Sequence, residues 1–181
     1  MNKKVFIIRH CQAEGQEAQA CLTELGRKQA EELSKYLSNT AISRIISSPF
    51  LRAHQSIEPF ATPKQLTIEI DHRLSERILS TCSMDNWLVK LEETFEDIEL
   101  KLEGGESSKE AQKRIVEVLD EILSNDNEST AIVTHGNIMS LLLNNYDKKF
   151  DFEQWKNLSN PDVFLLHFSD GGCSIERIWQ N

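Results

Sequence analysis

Two histidines of this sequence occupy the same kind of position. His10 follows Arg9 and the nearly continuous apolar run Lys4-Val-Phe-Ile-Ile8; His135 follows Ala131-Ile-Val-Thr134 and precedes Gly136. Each run suits a strand buried on both faces, so each histidine stands at the carboxyl end of a strand. Adjacent parallel strands lie about 4.8 Å apart, close enough for two such imidazoles to face one pocket. A planar guanidinium is a two-pronged donor for phosphate oxygens. Arg9 adjoins the first histidine, and Arg52, just after Ser47-Ser48-Pro49, is the natural second arginine. A single histidine at a strand end is more often a hydrogen-bonded residue near the surface. For the pair, spacing alone leaves the structural and the functional reading evenly open.

Such an arrangement requires strands that end together, and the pattern along the chain supplies candidates. After the first strand, Leu25, Ala30, Leu33 and Leu37 recur at helical spacing behind Thr23, a plausible N-cap. Residues 42 to 48 read as a second strand, followed by a helix from Arg52 that Pro59 is expected to interrupt. Leu66 to Ile70 alternates like a third strand. Residues 84 to 100 and 107 to 123 read as core-facing helices, the former through Trp87, Leu88, Leu91, Phe95 and Ile98. The strand ending at Thr134 runs into His135-Gly136, with Asn137 expected to cap an apolar helix from Ile138 to Leu143. Val163 to Phe168 and Ser174 to Trp179, joined by Asp170-Gly171-Gly172, read as a hairpin. Strands alternating with helices predict an α/β fold, a three-layer α/β/α sandwich around a mostly parallel central sheet. Ligands of such sheets bind beyond the carboxyl ends of the strands.

The 181 residues, 39% hydrophobic and 27% charged, are read as a single domain over residues 1–181. A net charge of −9 argues against nucleic-acid partners and against an anionic membrane surface, so an anionic substrate must be won locally. No run approaches the roughly 18 apolar residues of a membrane span, and the short segment before Arg9 lacks a secretory apolar region, so a cytoplasmic location is expected. Cys11, Cys21, Cys82 and Cys173 form no C-x-x-C pair, so no metal site and no cofactor is expected.

Several segments together carry a more specific likeness. Phe6-Ile-Ile-Arg-His10, Leu22-Thr-Glu-Leu-Gly-Arg-Lys-Gln-Ala30, Ser47-Ser-Pro-Phe-Leu-Arg-Ala-His-Gln-Ser56, Leu74-Ser-Glu76, Gly104-Gly-Glu-Ser107 and Ile132-Val-Thr-His-Gly136 resemble, in order, the motifs of the histidine phosphatase family, also called phosphoglycerate mutase-like. The resemblance runs from residue 5 to about residue 143. It implies the phosphoglycerate mutase-like fold and a phosphoric monoester hydrolase of the histidine acid type, needing no metal and acting on a small phosphomonoester. It also implies that His10 is the nucleophile, that Arg9, Arg52 and His135 bind phosphate, and that Glu76 is the proton donor, with His135 most useful when protonated. The match departs from the family at Cys11, where a glycine is usual, and at Gln16, which stands in the position of an asparagine and is expected to donate its amide hydrogen to phosphate. Residues 77 to 82 also depart, which leaves Glu14 as a rival acid.

Competing motifs fare less well. Cys11 has Glu17, not arginine, six residues on, and Cys21 to Arg27 fits C-x5-R only as the start of an amphipathic helix. Gly104-Gly105 reads as a turn, lacking a phosphate-loop pattern. His54, His72 and His167 have no partner at ligand spacing, and the acidic run from Glu92 to Glu99 is scattered by helical periodicity onto a solvated side. A mutase of this family would need added segments to keep water from a phosphohistidine; the compact stretch between Arg52 and His135 favours hydrolysis. Its segment from about Arg77 to Leu100, with Thr81, Ser83 and Trp87, is expected to line the substrate entrance. Two alternatives remain: mutase-type phosphoryl transfer, and a non-catalytic phosphate-binding module of the same fold. The oligomeric state is not legible.

Overall fold

The computed structural model describes residues 2–179. Six strands form one sheet: β1 (Lys3–Arg9), β2 (Arg44–Ser47), β3 (Ile68–Ile70), β4 (Ser129–Thr134), β5 (Asp162–Ser169) and β6 (Gly172–Arg177), in the order β3-β2-β4-β1-β5-β6. The first four in that order are parallel; β5 runs antiparallel to both β1 and β6. Six helices cover it: α1 (Glu24–Leu37), α2 (Leu51–Ala61), α3 (Trp87–Glu96), α4 (Ser108–Ser124), α5 (Gly136–Tyr146) and α6 (Phe152–Lys156). The expected three-layer sandwich with a mostly parallel sheet is the architecture observed.

Alternation along β1 divides the core. Val5 and Ile7 face the layer of α4 and α5, packing with Ile115, Leu119 and Met139, whereas Phe6 and Ile8 face α1 and α2, packing with Leu33, Leu37 and Ile57. All of β4 is buried, as a central parallel strand with helices on both faces must be. Each fully buried side chain of this kind contributes about 1.5–3 kcal/mol relative to exposure.

Local chemistry fixes the helix ends. Thr23 accepts the amide of Gly26 to cap α1 as expected, and Ser107 and Glu110 form a reciprocal capping box at α4. Gly26 is required by closeness of approach: a Cβ there would lie 2.0 Å from the carbonyl oxygen of Gln12.

Several expectations are corrected. Leu25 is half exposed, and Gly26 takes its place in the buried stripe of α1. Pro59 does not interrupt α2, which continues to Ala61 because Ile57, Phe60 and Ala61 are buried against α1; the packing offsets the one lost amide hydrogen bond. Asn137 lies in the first turn of α5 instead of capping it; the cap is His135. The helix expected from 84 to 100 spans only Trp87–Glu96 and is not core-facing: Leu91 and Thr94 are buried, but Trp87, Leu88 and Val89 are 49%, 41% and 52% exposed. Periodicity reports which residues share a helix face, not what that face meets; here it meets a cavity and solvent. The short helix α6 had no sequence signal strong enough to be expected.

Candidate active site

β1 and β4 are neighbours whose following helices depart to opposite faces of the sheet, α1 to one and α5 to the other. That divergence opens a crevice beyond their carboxyl ends. Arg9 is in register with Thr134, and the amide of His10 extends the ladder by donating to the Thr134 carbonyl at 3.0 Å. The two imidazoles are thereby brought edge to face, ring centroids 5.1 Å apart.

The His10 ring is fixed by its neighbours. Its Nδ1 lies 2.6 Å from the Cys11 carbonyl oxygen, which can only accept, so Nδ1 carries the proton and Nε2 keeps its lone pair. Arg52 Nε donates to that Nε2 at 3.2 Å, and Arg52 Nη1 donates to the carbonyls of Gln16 (3.2 Å) and Glu17 (2.9 Å). Asn160, from the segment before β5, donates its side-chain amide to the His10 carbonyl at 2.7 Å. Burial lowers the His10 pKa to about 3, with the charges of Arg52 and Arg9 acting in the same direction and the Cys11 carbonyl against them.

His135 is fully buried, its Nε2 2.7 Å from Ser48 Oγ and its ring against Phe50 at 4.8 Å. Burial first, then His10, Arg52 and Arg9, hold its pKa well below the usual histidine value. Burial and the charges of Arg52 and Arg9 thus disfavour the protonated form in which His135 would be most useful as a donor. Arg9 donates to the carbonyls of Leu158 and Ser159 at 3.2 and 3.3 Å, while its Nε is buried without a partner. Its guanidinium lies flat over Gly136, where a Cβ would come within 3.1–3.2 Å of Cζ, Nε and Nη2. This is what the glycine after the second histidine accomplishes.

Glu76 reaches the same crevice from the segment after β3. Its Oε1 accepts the amides of Arg77 (2.8 Å) and Ile138 (3.0 Å), and its Oε2 the amide of Asn137 (3.0 Å), closing the open N-terminus of α5. Arg9, His10, Gln16, Glu76 and Gly136 line a cleft of about 140 Å³. Glu14 is exposed and not among its lining residues, which places Glu76 and not the rival acid beside the histidines. Gln16 is at the rim on a loop tied down by the Ala13–Leu22 bridge, by Glu14 to Cys21, and by the amide of Leu51 on the Ala18 carbonyl.

Cys11 is wholly buried among Leu22, Ala53 and Ile57; its amide donates to Ser56 Oγ at 2.8 Å, and burial pushes its thiol up to about 12. The side chain that replaces the usual glycine thus points into the core and takes no part in a thiolate chemistry. Of the expected entrance residues, Trp87 lines a cavity of about 440 Å³ that shares Arg9, Gln16, Glu76 and Gly136 with the cleft, whereas Thr81 packs on Gly104, and neither Thr81 nor Ser83 lines it. Leu79, Leu91, Asn137 and Trp155 do. Among the described residues no cluster of three or more His, Cys, Asp or Glu side chains is arranged to hold a metal ion, and no helix is long and apolar enough to cross a membrane.

Ser48, Asn137 and Asn160 also belong to the site, and sequence reasoning gave them no role in it. Ser48 lay within a quoted motif, but nothing local indicated that its hydroxyl would meet His135 from 87 residues away.

Comparison with known proteins gives a consistent result. The family model described as histidine phosphatase superfamily (branch 1) matches residues 5–181. No curated protein matches the chain by sequence. Among solved structures, a mycobacterial glucosyl-3-phosphoglycerate phosphatase superposes with a TM-score of 0.79 at 20% identity, covering 98% of both chains. A phosphoserine phosphatase of Entamoeba histolytica, in complex with phosphoserine, does so with a TM-score of 0.77 at 20% identity, covering 96% of this chain and 94% of its own. A putative alpha-ribazole-5'-P phosphatase of Escherichia coli gives a TM-score of 0.78 at 15% identity, with 98% and 96% covered.

Proposed function

Since this chain belongs to branch 1 of the histidine phosphatase superfamily, we propose that it is a cytoplasmic, metal-independent phosphatase that hydrolyses small phosphomonoesters through a phosphohistidine on His10. The observation that carries the reading is the single hydrogen bond from His10 Nδ1 to the Cys11 carbonyl, which leaves Nε2 unprotonated between Arg9, Arg52 and His135.

The geometry supports the following division of roles. Phosphate oxygens draw the Arg52 guanidinium from Nε2 and take donors from Arg9, Arg52 and the Gln16 side-chain amide, with His135 as a further donor. Nε2 then bonds to phosphorus as the ester P–O bond breaks, and the departing alkoxide takes a proton from Glu76. The arginines stabilise the charge spread over the equatorial oxygens. In the second half, a water gives a proton to the Glu76 carboxylate and its oxygen to phosphorus while the N–P bond breaks. Inorganic phosphate and a neutral His10 result. One hard hydrolysis becomes two easier displacements. Mutase-type transfer requires that water be kept from the phosphohistidine; a helix α3 that leaves Trp87 half exposed beside the cavity supports hydrolysis instead.

The test is turnover of p-nitrophenyl phosphate from mildly acidic to neutral pH in excess EDTA, with His10→Ala as control and circular dichroism to establish its folding. The expected result is EDTA-resistant hydrolysis that falls to background in the variant. Hydrolysis surviving in folded His10→Ala refutes the mechanism, and phosphate binding without turnover of any phosphomonoester favours a binding module.

A further inference from the structure

The phosphoryl end of the site accounts for Arg9, Arg52 and the two histidines, but not for the cavity beside them. Its outer wall is apolar: Leu79, Trp87, Leu91 and Trp155. The two indoles meet edge to face, centroids 6.5 Å apart at 87°, and Trp155 stacks in turn on Phe152 at 5.5 Å. At about 440 Å³ the cavity falls within the range of small-molecule sites. It is continuous with the phosphoryl cleft through Arg9, Gln16, Glu76 and Gly136. A second cavity, of about 590 Å³, also opens from the phosphoryl site through Gln16, Arg52 and Glu76; Trp87 borders both, so an alcohol esterified to the phosphate passes Trp87 on either route.

Charge narrows the choice. Of the arginines nearest the cavity, Arg9 and Arg52 serve the phosphoryl group. Arg77 also borders it, but two of its three nitrogens are committed elsewhere: Nη1 donates to Thr94 Oγ1 and Ser108 Oγ, both at 2.9 Å, and Nε donates to the Glu106 carbonyl at 3.1 Å, while Nη2 has no partner but is buried away from solvent. A second anionic group on the substrate would thus meet no exposed guanidinium, only indole faces, leucines, the side-chain amides of Gln16 and Asn137 and the Glu76 carboxylate. A half-exposed Trp87 on a helix that buries little is otherwise costly apolar surface, and an aromatic ligand would cover it.

Building on the phosphatase reading, we propose that the substrates are phosphomonoesters of an alcohol bearing an aromatic ring, with no second negative charge, and that Trp87 and Trp155 form the pocket for that ring. Trp87 is in this sense a specificity-determining residue.

The experiment compares kcat/KM for 3-phenylpropyl phosphate, n-propyl phosphate and 3-phosphoglycerate, all esters of primary alcohols, so that leaving-group chemistry is closely matched. The phenyl ester is expected to exceed the propyl ester about tenfold or more, and 3-phosphoglycerate to be the poorest, since burying one ring against an apolar wall is worth at least that factor. In Trp87→Ala the phenyl-to-propyl ratio should fall about tenfold, with Trp87→Phe restoring most of it. Loosening of α3 without direct contact would lower both esters together and leave the ratio intact, which would overturn the assignment of Trp87. A wild-type ratio below about threefold, or preference for 3-phosphoglycerate, would overturn the substrate class, the latter pointing to Arg77 as the partner of a second anion. Failure of all three esters, with p-nitrophenyl phosphate also inert, would instead bring down the phosphatase reading on which the proposal rests.

Discussion

Replacing His10 by asparagine should change how the stability of the protein depends on pH, because the buried site keeps this imidazole neutral well below its ordinary pKa. In the unfolded chain this imidazole titrates near 6.5; in the folded protein burial, Arg52 and Arg9 lower it to about 3. Between those values the unfolded state binds a proton that the native state refuses, so stability rises with pH across that window and is lost as pH falls through it. Above about pH 7 both states are neutral and the group contributes nothing to the slope. At pH 5 the unfolded imidazole is favoured by about 2 kcal/mol, a figure governed by the unfolded pKa, so a native pKa of 4 instead of 3 would hardly alter it. Urea denaturation of wild type and His10→Asn at pH 7.5 and pH 5 measures this directly. The pH-independent effect of the substitution cancels in the comparison, as does, to first order, the similar contribution of His135. Wild type should lose about 2 kcal/mol more than the variant over that interval. An equal gap between the two proteins at both pH values would mean that His10 protonates as readily in the native protein as in the unfolded chain, and the case for a buried neutral nucleophile would collapse.

Two further substitutions probe the geometry around it. Gly136→Ala places a methyl 3.1–3.2 Å from the Arg9 guanidinium, so kcat/KM for p-nitrophenyl phosphate should drop about 10- to 100-fold with the fold retained in circular dichroism; an unchanged value would mean that Arg9 is free to shift. Glu76→Gln should cost about 10²–10⁴-fold with alkyl phosphates, whose leaving oxygen needs a proton, and much less with p-nitrophenyl phosphate, whose leaving group does not; equal losses on both would remove Glu76 from the proton-donor role.

The parts of the molecule legible in the sequence are those in which local pattern and tertiary environment agree. Val5 to Ile8 and Ala131 to Val133 are continuous apolar runs because helices cover both faces of those strands, so the positions of Arg9, His10 and His135 at strand ends could be read directly. Their adjacency rests on β1 and β4 pairing in register, which no local signal encodes, although both strands end on a histidine. Where the reading failed, something distant decided the outcome. Pro59 stays helical because Phe60 and Ala61 are buried against α1, and Leu25 is exposed because Gln12 passes so close to Gly26 that the helix turns its glycine inward. The periodicity of α3 correctly gave a helix with an apolar face, but that face borders a cavity and solvent, the kind of conflict between pattern and burial that accumulates at functional sites. Asn160 and Ser48 reach the histidines across 150 and 87 residues of sequence, separations over which no motif spacing is informative.

The contact between Arg52 and His10 has a consequence for what the resting protein can react with. The lone pair of Nε2 is occupied by the guanidinium N–H, and the same side chain is anchored through Nη1 to the loop carbonyls of Gln16 and Glu17. An electrophile arriving without negative charge has nothing with which to lure the arginine away, and meets a capped nitrogen. A phosphate carries the means of its own admission, because the oxygens that compete for the guanidinium are attached to the atom that His10 is proposed to attack. On the proposed mechanism the arginine would act as a guard as well as a receptor, shielding Nε2 from unprofitable alkylation and acylation and yielding to anions.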